Sequence, residues 1–491
     1  MRRLLSTALA LLPFALSAPF LAVPAHGAPP PEGRCPTVGG VASGGPATDA
    51  APIRLHEGMI IRKESLLLLR RLLPDEVWQN RHAFFHQGMA MTLAACHRRY
   101  PVPRFYEQAT ALHAGQPHLD AEGNLLDYTA GLPFPPESFD LQAPDAGARW
   151  AWNLALRWRG AGPWGRFRIV DMPSRVGKEL TYQGRYFYYQ TRGRSDLAAS
   201  GYAVSRADGN LFVAGGRFLE PLDARHLAWR QMRPIESLER YQKTDDTFVY
   251  VPTMRKVRRA STTWVDGMYV PRYRVAGDGG GGGIAVGSGG SDYGLGGATG
   301  AINPTAAISI HQTENLPRGF QTLTLRPNAY VWRIKGEREV LAPINARNNG
   351  YPQQPDRNFG PHGLSVASDN WDVRWAVVLE GRALDRSRDF QAIVLYVDWQ
   401  TRQPLYMITK ANLARILDIG IAVHRFSNDV INYPGWPDGE RAQVFDPVAE
   451  VFYRVADDSG WRRESYDTRS TPPEERIRRR FTSTDFLIRG R

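Results

Sequence analysis

From residue 149 onward, the chain is a series of short segments in which apolar and polar residues alternate, separated by Gly, Pro, Asn and Asp. A period of two residues is typical of strands that bury one face. Because no long helical pattern stands between the segments, we expect neighbouring strands to pair antiparallel, as a meander. The sequence therefore predicts a mainly β (α+β) fold with a large antiparallel sheet.

The first alternating segment, residues 149–158, is rich in tryptophan. The further predicted strands are 166–170, 182–191, 211–214, 227–232, 247–251, 321–325, 330–334, 371–379, 390–398 and 405–409. A sheet with one aromatic face must cover it, either with the protein's own helices or with an apolar ligand. Both readings stay open at this point. The candidate residues for a hydrophobic ligand wall are Trp150, Trp152, Leu154, Leu156, Trp158, Tyr186, Tyr188, Phe248 and Tyr250.

Ahead of the strands, residues 57–99 show a helical spacing of apolar residues, with Pro74 between two helices. A Pro/Gly-rich stretch precedes them and is predicted to form an arm. Residues 277–300 contain thirteen glycines, which predicts a flexible, exposed loop. The predicted organisation is a signal peptide at 1–27, the arm at 28–54 and a single large β-rich domain at 55–491, with a helical part at 55–100 and the glycine-rich loop at 277–300.

The N-terminus has the pattern of a secretory signal peptide: Arg2 and Arg3, an apolar stretch, and then Ala25-His26-Gly27. Prolines inside the stretch and small residues at its end favour cleavage over a membrane anchor. No later segment has 18 unbroken apolar residues. The sequence therefore predicts export to the periplasm, with association with the outer membrane as a further expectation.

The formal net charge of +12 would suit nucleic acid or anionic lipid, but export argues against a nucleic-acid partner. A basic run of Arg255, Lys256, Arg258 and Arg259 follows a predicted strand. It predicts either a surface for lipid phosphates or an anionic partner, or a charged strand edge that prevents aggregation.

Cys35 and Cys96 are the two cysteines of the chain. An even count in an oxidising compartment predicts a disulfide between them. Closing a loop of about 60 residues stabilises by roughly 4 kcal/mol in the chain-entropy model.

Motifs for catalysis or metal binding are weak. The glycine-rich loop matches a dinucleotide pattern but lacks the strand and helix that the pattern requires. His82 and His86 share a predicted helix face, but Ala83 stands where a zinc helix carries Glu. Residues 363–367 lack the closing glycine of a nucleophile elbow. We therefore predict no catalytic residue, no metal and no cofactor, and we expect a protein that is not an enzyme.

One stretch resembles a known family. Residues 245–259 combine an aromatic strand, a Tyr-x-Pro element and the run Met-Arg-Lys-Val-Arg-Arg, as in outer-membrane lipoprotein-sorting-type proteins. Supporting stretches are 76–81, 124–135, 131–153 and 223–230. Over most of residues 57–455, the chain resembles the Gram-negative envelope family catalogued as domain of unknown function 1329.

The resemblance implies a fold like that of the Lol lipoprotein carriers, which is a strongly curved antiparallel sheet forming an unclosed barrel. Helices cover its concave side, and acyl chains are held there. The resemblance also implies a resistance-nodulation-division transporter and an outer-membrane barrel protein as partners.

The function predicted is binding of a lipid or other hydrophobic compound and its transfer between an inner-membrane transporter and the outer membrane. Two alternatives stay open. One is an adaptor or assembly subunit of an envelope transport complex without its own ligand, and the other is a secreted hydrolase acting on lipids.

Overall fold

The computed structural model describes residues 29–39, 52–172, 179–205, 209–252, 255–260, 324–348, 360, 363–386, 390–411, 415–456, 460–483 and 487. The strands are β1 Thr37–Val38, β2 Ile53–Arg54, β3 Ile60–Ile61, β4 Met91–Cys96, β5 His118–Leu119, β6 Leu125–Leu126, β7 Trp164–Met172, β8 Leu180–Gln190, β9 Asn210–Glu220, β10 Ala228–Pro234, β11 Asp246–Val251, β12 Lys256–Ala260, β13 Tyr330–Ala342, β14 Asn370–Ala383, β15 Ala392–Asp398, β16 Pro404–Lys410, β17 Ile416–Phe426, β18 Phe445–Arg454 and β19 Trp461–Arg469. The α-helices are α1 Asp75–Gln79, α2 Arg81–Phe84, α3 Arg104–Leu112, α4 Ala146–Ala155 and α5 Glu475–Thr482. The 3-10 helices are Lys63–Leu72, Pro136–Ser138, Ser195–Ser200, Leu222–Ala224, Ile235–Ser237, Pro327–Ala329 and Ser427–Asp429.

Two antiparallel meanders make up the main sheet. Strands β7 to β12 follow one another in the first, and strands β13 to β19 follow one another in the second. The last strand, β19, pairs with β7 and joins the two meanders into one sheet. Among the described strands, the path of pairing ends at β12 on one side and does not return to it, so the sheet is unclosed. One pair departs from the predicted antiparallel order, because β4 runs parallel to the start of β14.

Helix α4 shows that the sheet is curved. Its Trp150 and Leu154 pack with residues of β13 to β18, whereas its Trp152 packs with residues of β7 to β11. Strands β14 and β8 are seven steps apart in the sheet, which is about 34 Å in a flat sheet. A ten-residue helix is only about 15 Å long. The two meanders must therefore bend around α4, and we call the face that contacts α4 the inner face.

The opposite face, here the outer face, is covered by different parts of the chain. Over the second meander it packs against the N-terminal part, through residues such as Leu69, Leu72 and Phe84. Over the first meander it packs against α3 and the C-terminal segment, through Tyr106 and Phe481. The predicted fold class, a mainly β protein with a large curved antiparallel sheet and covering helices, is confirmed.

The strand predicted at 149–158 is wrong, because most of this segment is helix α4. Trp150 and Leu154 are four residues apart and face the second meander, while Trp152 and Leu156 face the first. A helix buried on two sides carries two apolar stripes, and these stripes together imitate a period of two. Alanines at positions 146, 148, 151 and 155, which favour helix, were the opposing signal.

The helical prediction for residues 57–99 is right only in part. The described residues contain a 3-10 helix, α1 and α2, but Met91–Cys96 is strand β4. Strands β17, β18 and β19 were not predicted, whereas the charged segment near residue 476 forms helix α5. Of the strand predicted at 321–325, Thr324 and Leu325 are irregular, and the rest lies outside the described residues. The signal peptide and the glycine-rich loop also lie outside them, and the domain division stays a prediction.

The predicted disulfide is confirmed. Cys35 and Cys96 are bonded, with their Cα atoms 5.1 Å apart. The bond ties the segment before β1 to the end of β4, and Gly33 N–H donates to the Cys96 carbonyl beside it. A disulfide suits an oxidising compartment.

Candidate functional site

The register of the first meander places two rows of residues side by side on its outer face. In one row, Asp467, Arg166, Arg185, Arg217 and Ala228 stand opposite one another across β19, β7, β8, β9 and β10. Residues directly opposite in antiparallel strands point to the same side. This row therefore gathers three arginines and one aspartate on one surface.

The second row lies two residues further along the strands. It consists of Arg469, Trp164, Phe187, Gly215 and Arg230 on the same five strands. Gly215 lets the ring of Phe187 lie flat over β9, since a Cβ at that position would come within 3.3 Å of Phe187 Cε1. The two rows together form a floor of aromatic rings between guanidinium groups.

Helix α5 lies over this floor. Its two apolar residues, Ile477 and Phe481, are four apart and so share one helix face. The guanidinium of Arg230 donates to the carbonyls of Arg480 and Phe481 near the end of the helix, the first at 2.9 Å. Such donation satisfies carbonyls that have no partner within the helix. Arg230 therefore fastens the end of α5 to β10.

A cavity of about 680 Å³ remains between the sheet and α5. This volume falls within the range of ligand sites, about 300–1,000 Å³. The residues that line it are Trp164, Gly165, Arg166, Arg185, Tyr186, Phe187, Gly216, Arg217, Ala228, Trp229, Arg230, Asp467, Arg469, Ile477, Arg480, Phe481 and Leu487. We call it the arginine cavity, because six of these residues are arginines and one is an acid.

The depth of the arginines differs. Arg166, Arg185, Arg469 and Arg480 are exposed at the rim, Arg217 is half-buried, and Arg230 is only 5% exposed. Burial and the neighbouring charge of Arg217 lower the pKa of Arg230 to about 9. Burial also lowers the pKa of Arg217. The deepest cations of the cavity are thus held in an environment that disfavours their charge.

Most of the predicted wall residues lie elsewhere. Trp150 and Leu154 are fully buried in the core of the second meander, and Trp158 packs against Tyr106 and Trp436. Trp152, Leu156 and Tyr188 line an inner-face cavity of about 20 Å³, which holds about one water molecule. Side chains of α4 and of the two meanders pack around these residues, and the ligand wall on the concave side stays a prediction.

Three predicted wall residues do lie at the arginine cavity or beside it. Tyr186 belongs to its lining. Phe248 and Tyr250 stand opposite Arg230 and Ala228 on the outer face, where they pack with Leu487. The deep arginines and Phe481 were missed. Period-two spacing of Arg166 and Arg168 was visible in the sequence, but nothing there showed which strands lie beside β7.

The predicted basic run begins just before β12 and continues along it, and Arg255, Lys256, Arg258 and Arg259 are exposed. Among the described strands, β12 is the end of the sheet path, so the run forms a charged edge. Arg259 contacts Asp246 and stands opposite Phe248, which in turn stands opposite Arg230. The row of the arginine cavity therefore continues to this edge.

The histidines do not gather into a metal site. His82 packs edge-on against Tyr453, and His97 contacts Glu339 at 3.0 Å. Within the part of the chain that the structure describes, no group of three His, Cys, Asp or Glu residues is arranged to hold a metal ion. Likewise, no helix among the described residues is long and apolar enough to span a membrane.

Comparison with known proteins gives a family match over part of the chain. Residues 75–271 match the model of the family described as protein of unknown function (DUF1329), which confirms the resemblance drawn from the sequence. The chain is similar to a DUF1329 family protein from Desulfovibrio piger, at 12% identity and a TM-score of 0.38, over 70% of this chain and 98% of that one. It is also similar to a LolA superfamily protein from Nitrosomonas europaea, at 12% identity and a TM-score of 0.30, over 68% and 94% of the two chains. No curated protein matches.

Proposed function

We propose that this protein is exported to the periplasm and binds a lipid or other hydrophobic compound in the arginine cavity. The observation that carries the proposal is a cavity of about 680 Å³ whose floor and roof are aromatic and aliphatic. Trp164 and Phe187 belong to its floor, and Phe481 and Leu487 to its roof. A cavity with such a lining lets an apolar guest bury its own apolar surface.

The site is on the opposite side of the sheet from the one expected for a Lol-type carrier. The inner face is filled by α4, whereas the part of the outer face that forms the arginine cavity is covered by helix α5 and Leu487. A short helix held by few contacts can move aside more easily than a buried one. Ligand entry under α5 is therefore compatible with a rigid sheet.

The proposed role is that of a carrier between an inner-membrane transporter and the outer membrane. A resistance-nodulation-division transporter and an outer-membrane barrel protein are the partners proposed. A carrier must release its guest, and a cavity with one movable wall suits that task. The lining offers aromatic rings and guanidinium groups, which bind apolar and anionic parts of a ligand. The lining therefore gives no support to the hydrolase alternative.

One observation favours a second candidate, an adaptor subunit without its own ligand. Such a subunit is expected to have a filled sheet interior, and the inner face is filled by α4 and its neighbours. Native mass spectrometry of the protein purified from its own periplasm separates the two. A co-purifying small apolar molecule supports the carrier, and a persistent protein partner without one supports the adaptor.

The carrier proposal is tested by calorimetric titration with uncharged 1-alkanols of increasing length, from octanol to dodecanol. Each buried methylene contributes about 0.8 kcal/mol, so affinity should rise up to about fourfold per carbon. The variant Ile477→Trp, which fills the roof of the cavity, should weaken binding. Ile431→Trp is the matched control, because Ile431 is 89% exposed and not in the lining. A folded protein that binds none of the alkanols contradicts the proposal.

A further inference from the structure

The charge of the arginine cavity narrows the class of ligand. Six arginines and one aspartate line it, which gives a formal charge of 6 − 1 = +5. Among the described ion pairs, one of these six arginines contacts a carboxylate: Arg166 Nε lies 3.5 Å from Asp467 Oδ2. Both side chains of this pair are exposed. The balance of the lining is thus strongly positive.

The two deepest cations are neighbours. Arg217 stands opposite Ala228, two residues from Arg230 on the adjacent strand. Among the described residues, Arg230 has no carboxylate partner, and its hydrogen bonds go to the carbonyls of Arg480 and Phe481. Its Nε is buried without an acceptor. Neighbouring buried cations repel each other and lose hydration, and an anion between them would relieve both penalties.

The protein already uses a ring to offset part of this cost. The guanidinium of Arg230 lies over the ring of Phe187, 4.9 Å from its centroid. Arg217 donates to the carbonyl of Leu487 at 3.1 Å. Neutral partners of this kind hold the side chains in place but supply no opposite charge. Guanidinium groups bind carboxylate and phosphate oxygens with well-matched geometry.

The apolar surface lies next to these cations. Trp164 and Phe187 belong to the same row as Arg230, and Phe481 stacks on Phe187. The exposed arginines at the rim create a positive field at the entrance, which raises the local concentration of anions. A ligand that meets both surfaces has one negatively charged end and one apolar end.

We infer that the arginine cavity takes a single-chain anionic amphiphile, with a carboxylate or phosphate head at Arg217 and Arg230 and an alkyl chain against Trp164, Phe187 and Phe481. This inference rests on the proposed function, because it names the ligand class of the same cavity.

The test compares four probes of equal chain length by calorimetry: decanoate, decyl phosphate, decanol and decyltrimethylammonium. Inorganic phosphate is the fifth titrant. Charge-assisted hydrogen bonds to a partly buried guanidinium should make the two anions bind at least about tenfold more tightly than decanol. Arg217→Gln should reduce the ratio of anion affinity to decanol affinity about tenfold. Arg240→Gln, at an exposed arginine outside the lining, is the matched control.

The outcomes separate the inference from the proposal beneath it. Equal affinity for decanol and decanoate, or for the cationic probe and decanoate, overturns the anionic head and leaves apolar binding standing. Inorganic phosphate that binds as tightly as decyl phosphate overturns the amphiphile in favour of a free-anion site. Absence of binding by every alkyl probe overturns the proposed function itself. Thermal unfolding of each variant verifies that the fold is retained.

Discussion

The ring of Phe481 in α5 lies parallel to the ring of Phe187 in β8, with centroids 4.0 Å apart and 5° between the planes. The remaining residues of α5, apart from Ile477 and Thr482, are charged. This ring pair is therefore the main apolar contact between the C-terminal helix and the sheet. The same contact forms one wall of the arginine cavity.

Replacing Phe481 with Ala should loosen α5 and remove one wall of the cavity. We expect a loss of about 1–2 kcal/mol of unfolding free energy, from the ring pair and its buried area. The affinity for decanol should fall by about tenfold. Chemical denaturation and calorimetry give the two values. Leu222→Ala, at a residue that is 74% exposed, should change neither, and unaltered decanol binding by Phe481→Ala would remove α5 from the site.

Replacing Leu154 with Ala should act on stability alone. Leu154 is fully buried in α4, and a cavity left at such a site costs about 2–5 kcal/mol. The arginine cavity lies on the other face of the sheet, so the decanol affinity of the folded variant should match that of the wild type. Urea unfolding and titration at 10 °C check both. A folded Leu154→Ala variant with weakened decanol binding would show that decanol binds at the inner face and would contradict the prediction.

Replacing both Cys35 and Cys96 with Ser should lower the unfolding free energy by about 4 kcal/mol, since the disulfide closes a loop of 61 residues in sequence separation. Adding a reductant to the wild type should lower it by a similar amount. The double variant is the control, because a reductant should leave its denaturation curve unchanged. Equal stability of oxidised and reduced wild type would contradict the expected role of the bond.

Stability should depend on pH through Asp446. Burial raises the pKa of this carboxyl to about 7, even though Ser470 donates to it at 2.7 Å. The unfolded carboxyl titrates near pH 4. Between about pH 4 and pH 7 the folded state therefore holds a proton that the unfolded state has lost, so this contribution to stability is present at low pH and is lost as the pH rises to 7.

His424 acts in the opposite sense. Burial lowers its pKa to about 3, so its contribution is present above about pH 6.5 and is lost as the pH falls. Asp446→Asn removes the Asp446 contribution to the pH dependence of stability and leaves the His424 contribution in place. The unfolding free energy of this variant, relative to wild type, should rise from pH 4 to pH 7 and then level off. Urea unfolding at five pH values measures it, with the exposed Asp438→Asn as control. A difference that is the same at every pH would show that Asp446 does not titrate as expected.

Periodicity predicted strands in which buried and less buried residues alternate over part of the length, such as β11 and β13. Where both sides of an element are buried, the apolar pattern carries no single period and is ambiguous, so β15 and β16 were predicted while other such elements were not. Strand β18 is buried along nearly its whole length, and α4 is buried on two sides. Burial on both faces explains both errors.

Most of the arginine cavity could not be predicted from the sequence, for a different reason. Arg217 and Arg230 are neighbours because β9 pairs with β10. Phe481 is 251 residues beyond Arg230 in the chain and reaches it because α5 folds back over the sheet. Alternation shows which residues share a strand face, but it does not show which strands are neighbours. Of the nine wall candidates, Phe248 and Tyr250 lie near the cavity because they are on the outer face of the first meander, and Tyr186 belongs to its lining.

The pairing of β7 with β19 has a consequence for biogenesis. Residues 164–172 pair with residues 461–469. A chain that emerges from its N-terminus therefore cannot complete the sheet until residues 461–469 have also emerged. Until then, the first meander exposes a bare edge at β7, which is open to pairing with other chains. Products that stop short of β19 should therefore aggregate or be degraded, and a holding chaperone should be needed while the full-length polypeptide assembles.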